Sequence, residues 1–111
     1  MAYSNGITFK ETAVFTKQIV ELLSDDDYLG LQQALIINPG AGDIIRHSGG
    51  LRKVRWRSAS SGKRGGIRVI YYWFVSDHEI YLLLAYGKNQ KDDLSARELS
   101  ILRGLVSMGL S

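Results

Sequence analysis

Two apolar runs, "IRVIYYWFV" at 67–75 and "IYLLLAYG" at 80–87, are separated only by "SDHE", and this arrangement narrows most what the chain can become. The first run is almost continuously β-branched and aromatic, as in a central strand covered on both faces. The second is its partner across a short turn, so the pair predicts a β-hairpin at the heart of a sheet. With 111 residues there is enough chain for one such core and not for two, which predicts a single domain over residues 1–111.

The flanking segments change period. "GITFKE" alternates weakly and predicts a short first strand. From Thr12, a residue suited to an N-cap, Phe15, Ile19, Leu22 and Leu23 fall on one helical face. Ser24 starts a second helix, where Asp25, Asp26 and Asp27 complement the dipole and Tyr28, Leu31, Ala34 and Leu35 form the apolar stripe. The proline and glycines of "INPGAG" stop it. "SASSGKRGG" reads as a hairpin loop. Ser95 with Glu98 makes a capping box for a last helix carrying Leu99, Leu102, Leu105 and Val106. The expected order is βααβββα, an α+β domain.

Charge is distributed unevenly. Arg46, Arg52, Lys53, Arg55, Arg57, Lys63, Arg64 and Arg68 are eight of the fourteen cations, and no acid occurs between Asp43 and Asp77. The net charge of +3 conceals this local field. In "RKVRWR" the apolar Val54 and Trp56 alternate with Lys53, Arg55 and Arg57, which places these three cations on one face, about 7 Å from neighbour to neighbour. A merely solvated face would mix acids with them, because like charges that close repel. Arg68 lies near the start of the central strand, where a charge needs a partner or a purpose. The pattern predicts an anion-binding face, and a phosphate backbone is the commonest reason for one. Lys63 and Arg64 at the loop tip, and Lys88 with Lys91 after the last strand, extend it. Tyr71, Trp73 and Tyr86 read as core, whereas Tyr72 is a candidate for stacking on a base.

Other chemistries find less support. "GKRGG" lacks both the earlier glycine and the Ser or Thr of a P-loop. Ser60 and Lys63 match S-x-x-K only as two residues of a glycine-serine loop. His47 and His78 have no second ligand at metal spacing and read as surface residues, and Asp92 and Asp93 read as helix-capping acids. No metal or cofactor is expected. The absence of cysteine, of a long apolar run and of an apolar signal core predicts a cytoplasmic protein with no membrane partner.

Three blocks in order, "GGLRKVRW", "GKRGGIRVIYYW" and "LLLAYGKNQKDDLS", resemble the RelE-type toxins of bacterial type II toxin–antitoxin modules, most closely the HigB-like branch. The resemblance spans about residues 10 to 106. It implies a curved antiparallel sheet flanked by helices. It also implies a metal-independent mRNA interferase that cuts messages in the ribosomal A site beside rRNA and is held inactive by a HigA-like helix-turn-helix antitoxin.

By this resemblance Lys53 and Arg55 are the paired basic residues of the strand, Arg68 is the phosphate-binding arginine, and Lys88 closes the last strand. RelE has an arginine where this chain has Asn89, and a catalytic tyrosine further on, where this chain has Leu94 and Ser95. Other relatives use a histidine near the C-terminus, which is missing here, so the general acid or base is left open between Lys53 and Lys88. Arg55 and Arg68 are expected at the scissile phosphate, and Arg57, Lys63 and Arg64 on flanking RNA. A non-catalytic nucleic-acid-binding module and a ParE-like gyrase poison are the alternatives on the same fold.

Overall fold

A computed structural model describes residues 6–57, 66–91 and 93–108. Lys63 and Arg64, with the rest of 58–65, lie outside the described residues.

Local signals place the helices. α1 (Ala13–Leu22), α2 (Asp25–Ile37) and α3 (Ala96–Ser107) start after Thr12, Ser24 and Ser95, and each capping hydroxyl accepts from the backbone N–H three residues on. At Ser95 the capping box is complete, since Glu98 accepts in return from the Ser95 N–H. The Thr12 hydroxyl also donates to the Leu83 carbonyl at 2.8 Å, so one side chain starts α1 and ties it to the sheet.

The strands are β1 (Thr8–Glu11), β2 (Asp43–Ile44), β3 (Arg52–Trp56), β4 (Ile67–Phe74) and β5 (Glu79–Gly87), ordered β1-β5-β4-β3-β2. The α+β reading holds, and β4 is central, as expected from a run that is apolar apart from Arg68. Two details differ from expectation. A two-residue strand, β2, pairs with β3, too short to leave any periodicity in the sequence. The sheet is mixed rather than antiparallel throughout, because β1 runs parallel to β5. Strand direction at an edge is a non-local choice that alternation within either strand does not encode.

Each face of the sheet has its own core. Phe15 and Ile19 of α1 and Leu31 and Leu35 of α2 pack on Val69, Tyr71, Ile80, Leu82 and Ala85. On the other face Leu102 of α3 packs on Leu51, Ile70, Leu83 and Tyr86. The run "LLL" feeds both faces because the register slips from Ile70↔Leu84 to Tyr71↔Leu82, leaving Leu83 as the extra residue of a bulge. Beyond β1 the outer edge of β5 is capped by side chains, with Gln18 accepting from Ala85 N–H and Gln90 from Gly87 N–H. Such capping protects an edge from pairing with another chain.

Tyr71, wholly buried, fixes the connection from α2 to β2: its hydroxyl donates to the Pro39 carbonyl at 2.7 Å and accepts from Gly42 N–H at 2.9 Å. Gly42 is needed there, since a Cβ would stand 2.9 Å from the Tyr71 ring and 3.0 Å from the Lys53 backbone. No helix among the described residues is long and apolar enough to cross a membrane.

Candidate nucleic-acid interface

Alternation along β3 divides its cations between two faces. Val54 and Trp56 turn toward α1 and α2, and Arg52 shares their parity. Its guanidinium donates from Nη1 to the carbonyls of Gly40 (3.2 Å) and Gly42 (2.8 Å), which makes it a brace for the α2–β2 connection. Lys53 and Arg55 take the opposite face, the one on which α3 packs. There the register pairs Arg55 with Arg68 and Arg68 with Tyr86, so one row across three strands reads Arg–Arg–Tyr. Directly opposed side chains have Cβ atoms about 5 Å apart. Arg55 is exposed, whereas Arg68 is 8% exposed on the central strand.

The row continues past β5. The Lys91 ammonium lies 5.6 Å from the centroid of the Tyr86 ring, a cation–π distance, and pairs with Glu98 of α3. The hydrogen bond from Lys91 holds the Glu98 carboxyl below the usual carboxylate range. Lys88 follows β5 directly; it is exposed, and its N–H donates to the Gly66 carbonyl at 3.3 Å. Arg57 follows β3, also exposed. Because Trp56, Ile67 and Gly87 are register partners, Arg57 and Lys88 leave the sheet at one end, next to the Arg55–Arg68 row.

Two sequence expectations change. Asp93 does not cap α3, since Ser95 does; instead its carboxylate accepts from the Lys53 ammonium at 2.9 Å. That hydrogen bond, with the charge of Lys53 behind it, holds the Asp93 carboxyl below its usual range, and Arg55 adds to the effect. Asp43 is also the β2 register partner of Lys53. A stretch without acids in sequence therefore receives them in space, from β2 and from the segment before α3. Tyr72 is the second change. It lies on the cationic face but four residues beyond Arg68, about 13 Å along the strand. There it is half-buried in the core beside α3, edge-on to Phe74 at a centroid distance of 4.7 Å. Its ring also faces Gly50, where a Cβ would approach to 3.0 Å. Packing, not alternation, decides its role, and it is not brought to the cations.

An open cleft of about 710 Å³ runs beside β2 and β3, with Asp43, Ile44, Arg46, Lys53, Arg55 and Asp93 in its lining. Sequence reading had no access to it, since β2 left no signal and Asp93 is forty residues from Lys53. His47 and His78 are exposed turn residues with φ of 60° and 52°. Among the described residues no group of three or more His, Cys, Asp or Glu side chains is placed to hold a metal ion.

What remains on the face is a set of fixed cations on a rigid sheet, an arrangement that stabilises negative charge on a phosphoryl group. No family model matches the sequence. A solved structure of the E. coli toxin RelE, an arginine-to-alanine mutant in the free state, is similar over 78% of this chain and 88% of that one, at 12% identity and a TM-score of 0.59. At that identity the likeness concerns architecture, and the chain has the α+β fold of the RelE toxin.

Proposed function

We propose that this chain is a ribosome-dependent mRNA interferase, a RelE-type toxin of the HigB-like branch. Its partners in this reading are mRNA in the ribosomal A site, the surrounding rRNA, and a HigA-like helix-turn-helix antitoxin. The observation that carries the proposal is the Arg55–Arg68 pair across β3 and β4 with Lys53 one step along the same face. The register sets these two arginines directly opposite each other, a placement in which like charges repel. A phosphodiester between them would gain charge-assisted hydrogen bonds to both.

In the reaction the ribose 2′-oxygen attacks its own 3′ phosphorus, a new O–P bond forms, and the bond to the 5′-oxygen of the next nucleotide breaks. The products are a 2′,3′-cyclic phosphate and a 5′-hydroxyl. One proton leaves the 2′-hydroxyl and one reaches the departing oxygen. Arg55 and Arg68 hold the phosphoryl oxygens where charge builds, Lys53 or Lys88 moves protons, and Arg57, Lys63, Arg64 and Lys91 hold flanking RNA.

The test is an in vitro translation reaction read by primer extension, comparing wild type with Arg68→Ala and Lys53→Ala, each checked for folding by circular dichroism. Each variant is expected to lose cut products by about a hundredfold. Normal cutting by both folded variants would overturn the assignment of this face. RNA retention by wild type without any cut product would instead identify a binding module.

A further inference from the structure

Asp93 brings an anion to the cationic face from the protein itself. Its carboxylate accepts from the Lys53 ammonium at 2.9 Å and lies close enough to Arg55 to feel that charge as well. The start of α3 does not call for it: Ser95 is the N-cap, Glu98 completes the capping box, and the Asp93 side chain bonds to Lys53 instead. We propose that Asp93 is an internal competitor for the phosphate site, holding Lys53 in the free protein and giving way when RNA binds. The inference rests on the RNA-binding part of the function proposed above and not on cleavage.

A carboxylate and a phosphodiester each offer the ammonium an anionic oxygen at the same hydrogen-bonding distance, and two anions crowded on one lysine repel each other. One of them has to leave. The Asp93 side chain is 79% exposed, and an ion pair so open to water contributes at most about fivefold to an equilibrium constant, so Asp93 departs at little cost. An anion that reaches Lys53 alone exchanges one contact for another and gains nothing. A phosphate chain that also engages Arg55 and Arg68, on the same face, gains contacts that Asp93 does not supply. The competitor therefore restricts the face to ligands that use the arginines, which is discrimination obtained by weakening every other anion.

The experiment is a double-mutant cycle read by fluorescence anisotropy with a labelled 2′-O-methyl oligoribonucleotide, which cannot be cut, in about 0.1 M salt. Asp93→Asn keeps the shape of the side chain and should bind about fivefold more tightly than wild type. In the Lys53→Ala background the same substitution should gain no more than about twofold, because the ammonium it would release is gone. Asp77→Asn removes the same charge from the exposed turn between β4 and β5, about 20 Å along β4 from Arg68 and beyond the screening length, and should leave affinity unchanged. Circular dichroism checks the fold of each variant. No gain from Asp93→Asn, an equal gain in both backgrounds, or a matching gain from Asp77→Asn overturns the competitor while leaving the RNA-binding face in place. Binding by neither wild type nor Asp93→Asn overturns that face and the competitor together.

Discussion

Arg52 and Arg55 stand three residues apart in one strand, yet the fold gives them opposite duties, and two alanine substitutions separate these. Arg55 is exposed on the face that carries Lys53 and Arg68. Three such cations on a single-stranded RNA give a slope of log K against log salt of about −2, with about 0.7 contributed by each phosphate contact. Arg55→Ala should make the slope shallower by about 0.7, so that between about 50 and 200 mM salt the variant loses two- to threefold less affinity than wild type. Its stability should hold or rise slightly, because the repulsion with Arg68 is gone. Arg52→Ala removes the two hydrogen bonds to Gly40 and Gly42 on the other face. It should keep the salt slope and cost about 2 kcal/mol of stability, a fall in Tm of roughly 8 °C for a domain of this size. Anisotropy titrations at four salt concentrations and thermal unfolding followed by circular dichroism measure both quantities. If Arg52→Ala flattened the slope as much as Arg55→Ala, or if Arg55→Ala left it unchanged, the division of β3 into a bracing face and an anion face would be refuted.

Tyr71→Phe should leave Gly42 N–H and the Pro39 carbonyl without their partner and cost about 2 kcal/mol in a urea titration; an unchanged midpoint would mean that the α2–β2 connection does not depend on this hydroxyl. Alkaline pH should destabilise the fold through Tyr28. Burial pushes its phenol well above the ordinary range, and the hydrogen bond to Glu11 at 2.5 Å adds to the rise. A raised folded pKa means that the stabilisation is fully present below the unfolded value of about 10 and is lost as pH climbs past it. Unfolding midpoints measured between about pH 9 and 11 should therefore fall more steeply in wild type than in Tyr28→Phe.

Signals confined to a few neighbouring residues were readable without coordinates. The three N-caps, the capping box at Ser95 and Glu98, the central position of "IRVIYYWF" and the shared face of Lys53 and Arg55 each depend on contacts within one turn or one pleat. The row Arg55–Arg68–Tyr86 was only half readable: β3 and β4 alternate visibly, but a register between strands is set by which residues meet, and neither strand alone states it. Arg52 shows the same limit, for its place among the cations in sequence gave no hint of the two carbonyls that hold it.

By itself the sequence determined an α+β domain with a buried hairpin, three capped helices and a surplus of cations on one strand, because propensity, capping and two-residue alternation act locally. Only the tertiary structure decided that β1 joins β5 in parallel, that β2 exists, that Tyr72 belongs to the core beside α3, and that Asp43 and Asp93 stand beside Lys53. These are pairings between residues tens of positions apart. Their geometry follows from packing helices on both sides of one sheet, and no short stretch of chain contains that information.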